Sequence, residues 1–131
     1  MSGRTEAIPV FGQDFEQLQV FLLDDDGVIS PIRFARVFSM NLTALAGAAQ
    51  VSMEKLCKTP SDEVVQRHLR ESLQITCAAT GVAQSVERAL FWLKNTPIEP
   101  FGDKTGYELA SEGRTGDVLH YIDSLQAGFS G

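Results

Sequence analysis

A chain of 131 residues, 44% hydrophobic and 21% charged, has the make-up of an ordinary soluble globular protein and is long enough to bury a core without disulfide or metal staples. Its formal charge of −6 excludes a broad phosphate-neutralising face, so any contact with nucleic acid is local. Cys57 and Cys77 lie in apolar helical patterns with no Cys or His at ligand spacing; that excludes a disulfide framework and a zinc site and predicts two small buried hydrophobes.

In chain order, residues 1–13 contain Gly and Pro with little periodicity and predict a mobile arm. Phe15, Leu18 and Leu22 fall at helical spacing, while Leu18, Val20 and Leu22 also alternate like a strand; a first helix is expected. The longest apolar run near this end, Val20 to Leu23, has no basic flank and no cleavage site of the secretory kind, so no membrane segment and a cytoplasmic location are expected. Asp24-Asp25-Asp26-Gly27 invites a calcium reading. Placing Gly27 on the glycine of a helix-loop-helix calcium loop puts Leu22 at the first ligand position and Arg33 where the closing Glu belongs, which leaves a solvated acidic turn. Ser30-Pro31 starts the next helix, with a hydroxyl to accept a first-turn N–H and a residue that has no N–H to satisfy. Phe34, Val37 and Phe38 form its apolar face.

Leu42, Leu45, Ala46, Ala49, Val51 and Leu56 fit a helix-turn-helix template in which a small residue, here Ala46, lets the second helix pack steeply across the first. Val51 falls in the turn, and Gln50 stands where such motifs prefer a glycine for positive φ. Ser52 to Lys58 is the expected recognition helix, offering Ser52, Met53, Lys55 and Lys58 to DNA. Glu54 repels phosphate and no Arg is present for a bidentate contact to guanine, so the motif is degenerate and competes with a helix pair kept for packing or dimerisation.

Thr59-Pro60-Ser61-Asp62-Glu63 starts a long helix whose apolar stripe is Val65, Leu69, Leu73 and Cys77, ending at Thr80-Gly81. His68, next to the stripe with Arg67 and Arg70 nearby, is expected on the helix surface, and His120 is expected half-buried. Neither pairs with a Ser, Cys or Asp in a catalytic pattern, and the chain is not read as an enzyme. Val82, Val86, Ala89, Leu90 and Leu93 form the core face of the helix that carries Trp92, and the turn Pro97 to Pro100 ends it. Thr105 caps a short helix over Gly106 to Ser111, Gly113 stops it, and Thr115 is the next N-cap. Val118, Ile122, Leu125 and Phe129 form a last stripe; Gly128 is expected to break that helix and leave a flexible tail.

In this closing third, the order Trp92, Phe101-Gly102, Lys104-Thr105, Glu108-Leu109, Glu112-Gly113-Arg114, Val118-Leu119, Tyr121, Gly128 resembles the toxin-binding domain of the Xre/MbcA/ParS family of bacterial antitoxins. The likeness reaches upstream to about Asp24 and departs at Asp103, where many members have a second glycine. It implies an all-α chain in which a degenerate Xre-like helix-turn-helix precedes a small helical toxin-binding domain. The expected segments are 1–23 (arm and first helix), 24–80 (helix-turn-helix half with a linking helix) and 81–131 (toxin-binding domain).

The resemblance also implies a homodimer with no cofactor, which neutralises a RES-type toxin that consumes NAD or uses it for ADP-ribosylation. The antitoxin's C-terminal region covers the toxin's NAD pocket, and operator DNA is a further partner through repression of its own operon. The toxin-binding residues expected on this basis are Trp92, Phe101, Gly102, Lys104, Thr105, Arg114, Tyr121, Gly128, Phe129, Ser130 and Gly131. Physically, Gly128 and Gly131 admit close backbone approach, Phe129 supplies an anchor, and Ser130 with the terminal carboxylate suits sites built for phosphate oxygens. The negative charge favours encounter with a pocket made basic for NAD. Core packing is the competing role for Trp92 and Tyr121, and surface ion pairing for Lys104 and Arg114. The alternative for the whole chain is a stand-alone helix-turn-helix regulator whose C-terminal half only dimerises.

Overall fold

A computed structural model describes residues 7–130, with side chains for 7–127; residues 1–6 of the expected arm, and Gly131, lie outside it. The described chain is all-α apart from one two-stranded ribbon, and none of its helices is long and apolar enough to cross a membrane.

The first helix expected from Phe15, Leu18 and Leu22 is present as α1 (Phe15–Leu22), capped by Asp14, whose carboxylate accepts from Gln17 N at 3.0 Å. At its other end Arg33 donates to the carbonyls of Phe21 and Leu23, covering acceptors that have no partner within the helix. The acidic turn that follows closes on itself: Asp24 Oδ1 accepts from Asp26 N and Val28 N. Ser30 caps α2 (Pro31–Val37) with Pro31 in the first turn, as its sequence requires, and Phe34 stacks on Phe38 at 4.0 Å. Asn41 caps α3 (Leu42–Ala49) and Ser52 caps α4 (Met53–Lys58); between them Gln50 adopts φ 62°, the left-handed geometry foreseen there.

The long helix α5 (Glu63–Ala83) is the axis on which the others pack. Its fourth-residue stripe does not hold. Cys77 is exposed, and the buried line moves onto Ser72, Ile75, Thr76, Ala79 and Thr80. At 3.6 residues per turn every fourth residue drifts by about 40°, so after three steps Cys77 has rotated out of the interface. The hydroxyls that rotate in are satisfied locally: Ser72, Thr76 and Thr80 each donate to the carbonyl four residues back, at 2.9, 2.8 and 2.7 Å. Cys57 is exposed too, since α4 turns only Leu56 fully inward. The helix also runs past the expected stop at Thr80-Gly81 and ends at Ala83, where Gln84 takes the left-handed conformation (φ 69°) and its N–H bonds Thr80 O; at Gly81 α8 comes close, a Cβ there lying 3.2 Å from Gln126 Nε2.

Ser85 caps α6 (Val86–Asn95), which buries Val86, Ala89 and Leu93 as expected. The end of the expected mobile arm is docked here. Glu87 accepts from Phe11 N (2.8 Å) and Gly12 N (3.1 Å), Val86 N donates to Gly12 O (2.6 Å), and Phe11 is 5% exposed. Lys94, on the same helix, donates to the carbonyls of Phe38 and Ser39 and so covers the end of α2. Next come β1 (Pro97–Ile98), a 3-10 turn over Glu99–Phe101, and β2 (Lys104–Thr105), the strands antiparallel with Pro97 opposite Thr105. Thr105 and Glu108 form a reciprocal capping box on α7 (Gly106–Ser111). Gly113, at φ 82°, ends α7 with Gly113 N bonded to Ala110 O and Arg114 N to Leu109 O, the stop read from the sequence. In α8 (Thr115–Ser130) Thr115 is the first residue and not a side-chain cap; its hydroxyl donates to Glu71 Oε1 at 3.0 Å, tying α8 to α5.

One buried cluster extends from Phe11 to Ile122, and α5 supplies its middle. Gln66 is its main polar fastener: its amide oxygen accepts from Ile29 N (3.1 Å) and its amide nitrogen donates to Ile29 O (2.9 Å) and Pro60 O (2.8 Å). Gln66→Leu leaves a buried N–H and a buried carbonyl without partners. It is expected to cost about 2–3 kcal/mol, readable as a lower urea midpoint with unchanged slope.

Candidate functional site

Local backbone geometry sets up the turn between β1 and β2. Gly102 and Asp103 both adopt positive φ, 75° and 64°, with Gly102 N bonded to Glu99 O and Asp103 N to Ile98 O, each 3.1 Å. Asp is among the few non-glycine residues that tolerate this region. Asp103 therefore holds a conformation that glycine takes most readily.

The turn presents Phe101, half-buried, to the start and middle of α8. Tyr121 meets its ring edge-on at 6.1 Å, and the Arg114 guanidinium lies 5.0 Å from its centroid, a cation–π arrangement. Arg114 also donates from Nε to Asp117 Oδ2 at 2.9 Å, and Lys104, on β2, pairs with Glu112 at the end of α7. An aromatic pair flanked by two exposed ion pairs results, with Gly102 and Asp103 exposed at its edge. Tyr121 and Gly128 are spaced by seven residues and fall along one line of α8, and Arg114 immediately precedes its first turn. Phe101, Gly102, Lys104, Arg114 and Tyr121 thus share one surface, and the helix line from it leads to position 128.

The remaining expected residues lie elsewhere or do other work. Thr105 is half-buried and its hydroxyl is the α7 cap. Trp92 lies against Gly106 and lines an apolar cleft of about 210 Å³ with Ala79, Val82, Ala83, Ile122 and Leu125. Gly128 does not break the helix: α8 continues to Ser130, because one glycine costs a helix only about 1 kcal/mol relative to alanine. The tail expected to be loose is helical backbone up to Ser130; the side chains of Phe129 and Ser130, and all of Gly131, lie outside the described residues.

In the would-be recognition helix, Ser52 Oγ accepts from Lys55 N at 3.0 Å as the cap of α4 and Met53 is 40% exposed. Both lysines are engaged with acids, Lys55 with Asp62 at 3.6 Å and Lys58 with Glu54 at 3.4 Å.

Sequence reasoning missed a buried polar joint. His68, expected on the surface, is 8% exposed; its Nε2 lies 2.8 Å from the Tyr107 hydroxyl, which also reaches Met40 Sδ at 3.7 Å. Phe34 and Tyr107 flank the imidazole at ring separations of 6.5 and 5.4 Å. Burial pushes the His68 pKa down to about 4 against the opposing pull of Glu71, and burial raises that of Tyr107, so the pair is neutral near pH 7. The pattern Val65, His68, Leu69, Ser72, Thr76, at i, i+3, i+4, i+7 and i+11, was the signal; the flanking arginines masked it. His120, expected half-buried, is exposed. Comparison with protein families, characterised proteins and solved structures finds no match to this chain.

Proposed function

We propose that this protein is an antitoxin that binds a RES-type toxin and covers its NAD pocket with its C-terminal region. The reading rests on the resemblance carried by Trp92 to Gly128. The observation that supports it best is the gathering of Phe101, Lys104, Arg114 and Tyr121, residues separated in sequence, onto one surface beside an exposed positive-φ turn. An aromatic pair beside Arg has the composition of a binding hot spot. The line from Tyr121 to Gly128 extends that surface to the end of α8, and a glycine on it lets a partner's backbone approach closely. The covering element on this reading is a helical end, stiffer than a loose tail, which lowers the ordering cost of binding.

In this scheme α3 and α4 are a degenerate Xre-type helix-turn-helix, residues 81–131 are the toxin-binding domain, and the active species is a cytoplasmic homodimer. Autoregulation through operator DNA is a secondary role. The stand-alone regulator gains little support, since Lys55 and Lys58 are already neutralised by neighbouring acids.

The test is co-expression with a RES-type toxin, sought first in the neighbouring reading frame. Deleting residues 128–131 is expected to weaken toxin binding and to restore NAD loss. Full protection by the shortened chain rejects the pocket-covering mechanism, and failure of the full chain to bind the toxin at all rejects the antitoxin role.

A further inference from the structure

The last turns of α3 and α7 converge on the flank of α5 and enclose a groove of about 350 Å³, at the small end of the range for ligand sites. Its walls are partly apolar, with Ala48, Ala49 and Ala110, and with Val64 at the rim, 46% exposed. Because two helices end here, backbone carbonyls left over from their last turns give the groove a negative potential. Three charged side chains line it. Glu112 is paired with Lys104, and Arg67 is turned to Glu63, one helical turn back at 4.0 Å. Glu71 is different: its Oε1 accepts from the Thr115 hydroxyl, and among the described residues it meets no cation within ion-pairing distance.

His68 lines the same groove. Its Nε2 is taken up by Tyr107, but its Nδ1 makes no hydrogen bond with the described residues. Since no fully buried side-chain nitrogen or oxygen among those residues lacks a partner, Nδ1 has an opening to the outside, and the groove is the opening that His68 lines. A side chain more than nine-tenths buried thus aims an unused ring nitrogen into the groove. The Tyr107 hydroxyl has one proton and directs it at Met40 Sδ; the 2.8 Å bond therefore takes its proton from Nε2 and leaves Nδ1 a bare acceptor. Burial lowers the pKa of the ring to about 4, so the ring is neutral at pH 7 and Nδ1 is free to accept. Glu71 is close enough for its charge to act on the imidazole, and both line the groove.

We propose that this groove binds a small organic cation, an alkylguanidinium or alkylammonium group, whose N–H donors bond His68 Nδ1 and Glu71 Oε2 while its alkyl stem lies against Val64, Ala48 and Ala110. An anion is rejected, because its lone pairs would face those of the ring nitrogen and the carboxylate. The site is independent of the antitoxin reading and needs no toxin.

Titration of the isotope-labelled full chain with n-butylguanidinium chloride is expected to shift the His68 ring nitrogens and the Val64 methyl signals. Sodium butyrate, with a like stem and the opposite charge, is expected to leave them in place. Glu71→Gln, which still accepts from Thr115, should weaken butylguanidinium binding about tenfold, the loss of one charge-assisted contact. Independently of any variant, the ring-nitrogen shifts of the free chain should place the His68 proton on Nε2. N-acetyl-arginine amide separates the two sources of such a cation. Its binding assigns the groove to an arginine side chain of a protein partner, and its exclusion while butylguanidinium binds assigns the groove to a free amine. A proton on Nδ1, an equal response to butyrate, no response to butylguanidinium, or unchanged affinity in Glu71→Gln overturns the inference.

Discussion

Acidification from pH 7 to pH 4 is expected to remove about 3 kcal/mol of folding stability through His68 alone. His68 is 8% exposed, its imidazole lies beside Phe34 and Tyr107, and its pKa is lowered to about 4. In the unfolded chain it titrates at its ordinary 6.5. Its folded pKa is depressed, so the unfolded state binds the proton first. The stabilisation is complete above pH 6.5, declines as the pH falls towards 4, and does not decline further below that. Other carboxylates contribute their own acid dependence, so the measurement is a difference. Urea unfolding of the wild type and of His68→Gln, which keeps a hydrogen-bonding partner for Tyr107 but does not titrate, is compared at pH 7 and pH 4. The gap between the two proteins should change by about 3 kcal/mol in favour of the variant. Parallel curves for the two across that range would mean that the imidazole is hydrated and not a member of the core.

On the antitoxin reading proposed above, Phe101→Ala is expected to weaken toxin binding by about 2 kcal/mol, a loss of roughly thirtyfold, while leaving the chain folded. The ring is half-buried at the surface, so its removal from the free protein forfeits mainly the edge-on contact with Tyr121 and the Arg114 cation–π contact, together about 1–2 kcal/mol of stability. Tyr121→Ala, from the other side of the same pair, should have a comparable effect on binding. Lys55→Ala and Lys58→Ala serve as controls, being in α4, outside this surface, and their affinity should stay within about a factor of two, the roughly 0.5 kcal/mol usual for surface changes. Wild-type affinity in both aromatic variants, measured by calorimetry with the folded state checked by circular dichroism, would move the binding surface elsewhere.

Much of the secondary structure was legible because its causes are local. Ser30-Pro31, Thr105 with Glu108, and Gly113 act within one helical turn, and each starts or stops a helix where its chemistry requires. Gln50 was recognised at a position needing positive φ for the same reason. The clustering of Phe101, Arg114 and Tyr121 was foreshadowed only by their common membership of one sequence pattern; periodicity contains nothing that brings a turn residue onto a helix beginning fourteen positions later.

By itself the sequence determined the all-helical class, the acidic character and the helix ends marked by Ser30-Pro31, Thr105 and Gly113, since propensity, charge and capping act over a few residues. Only the tertiary structure decided that Cys77 faces outward and His68 inward, because the drift of a 21-residue helix matters only once neighbours fix which face is covered. The docking of Phe11 and Gly12 depends on the Glu87 carboxylate, more than seventy positions away, and the helix through Gly128 on an intrinsic penalty too small to stop it. Contacts of that range are paid for by the collapse of the whole core, which no local pattern encodes.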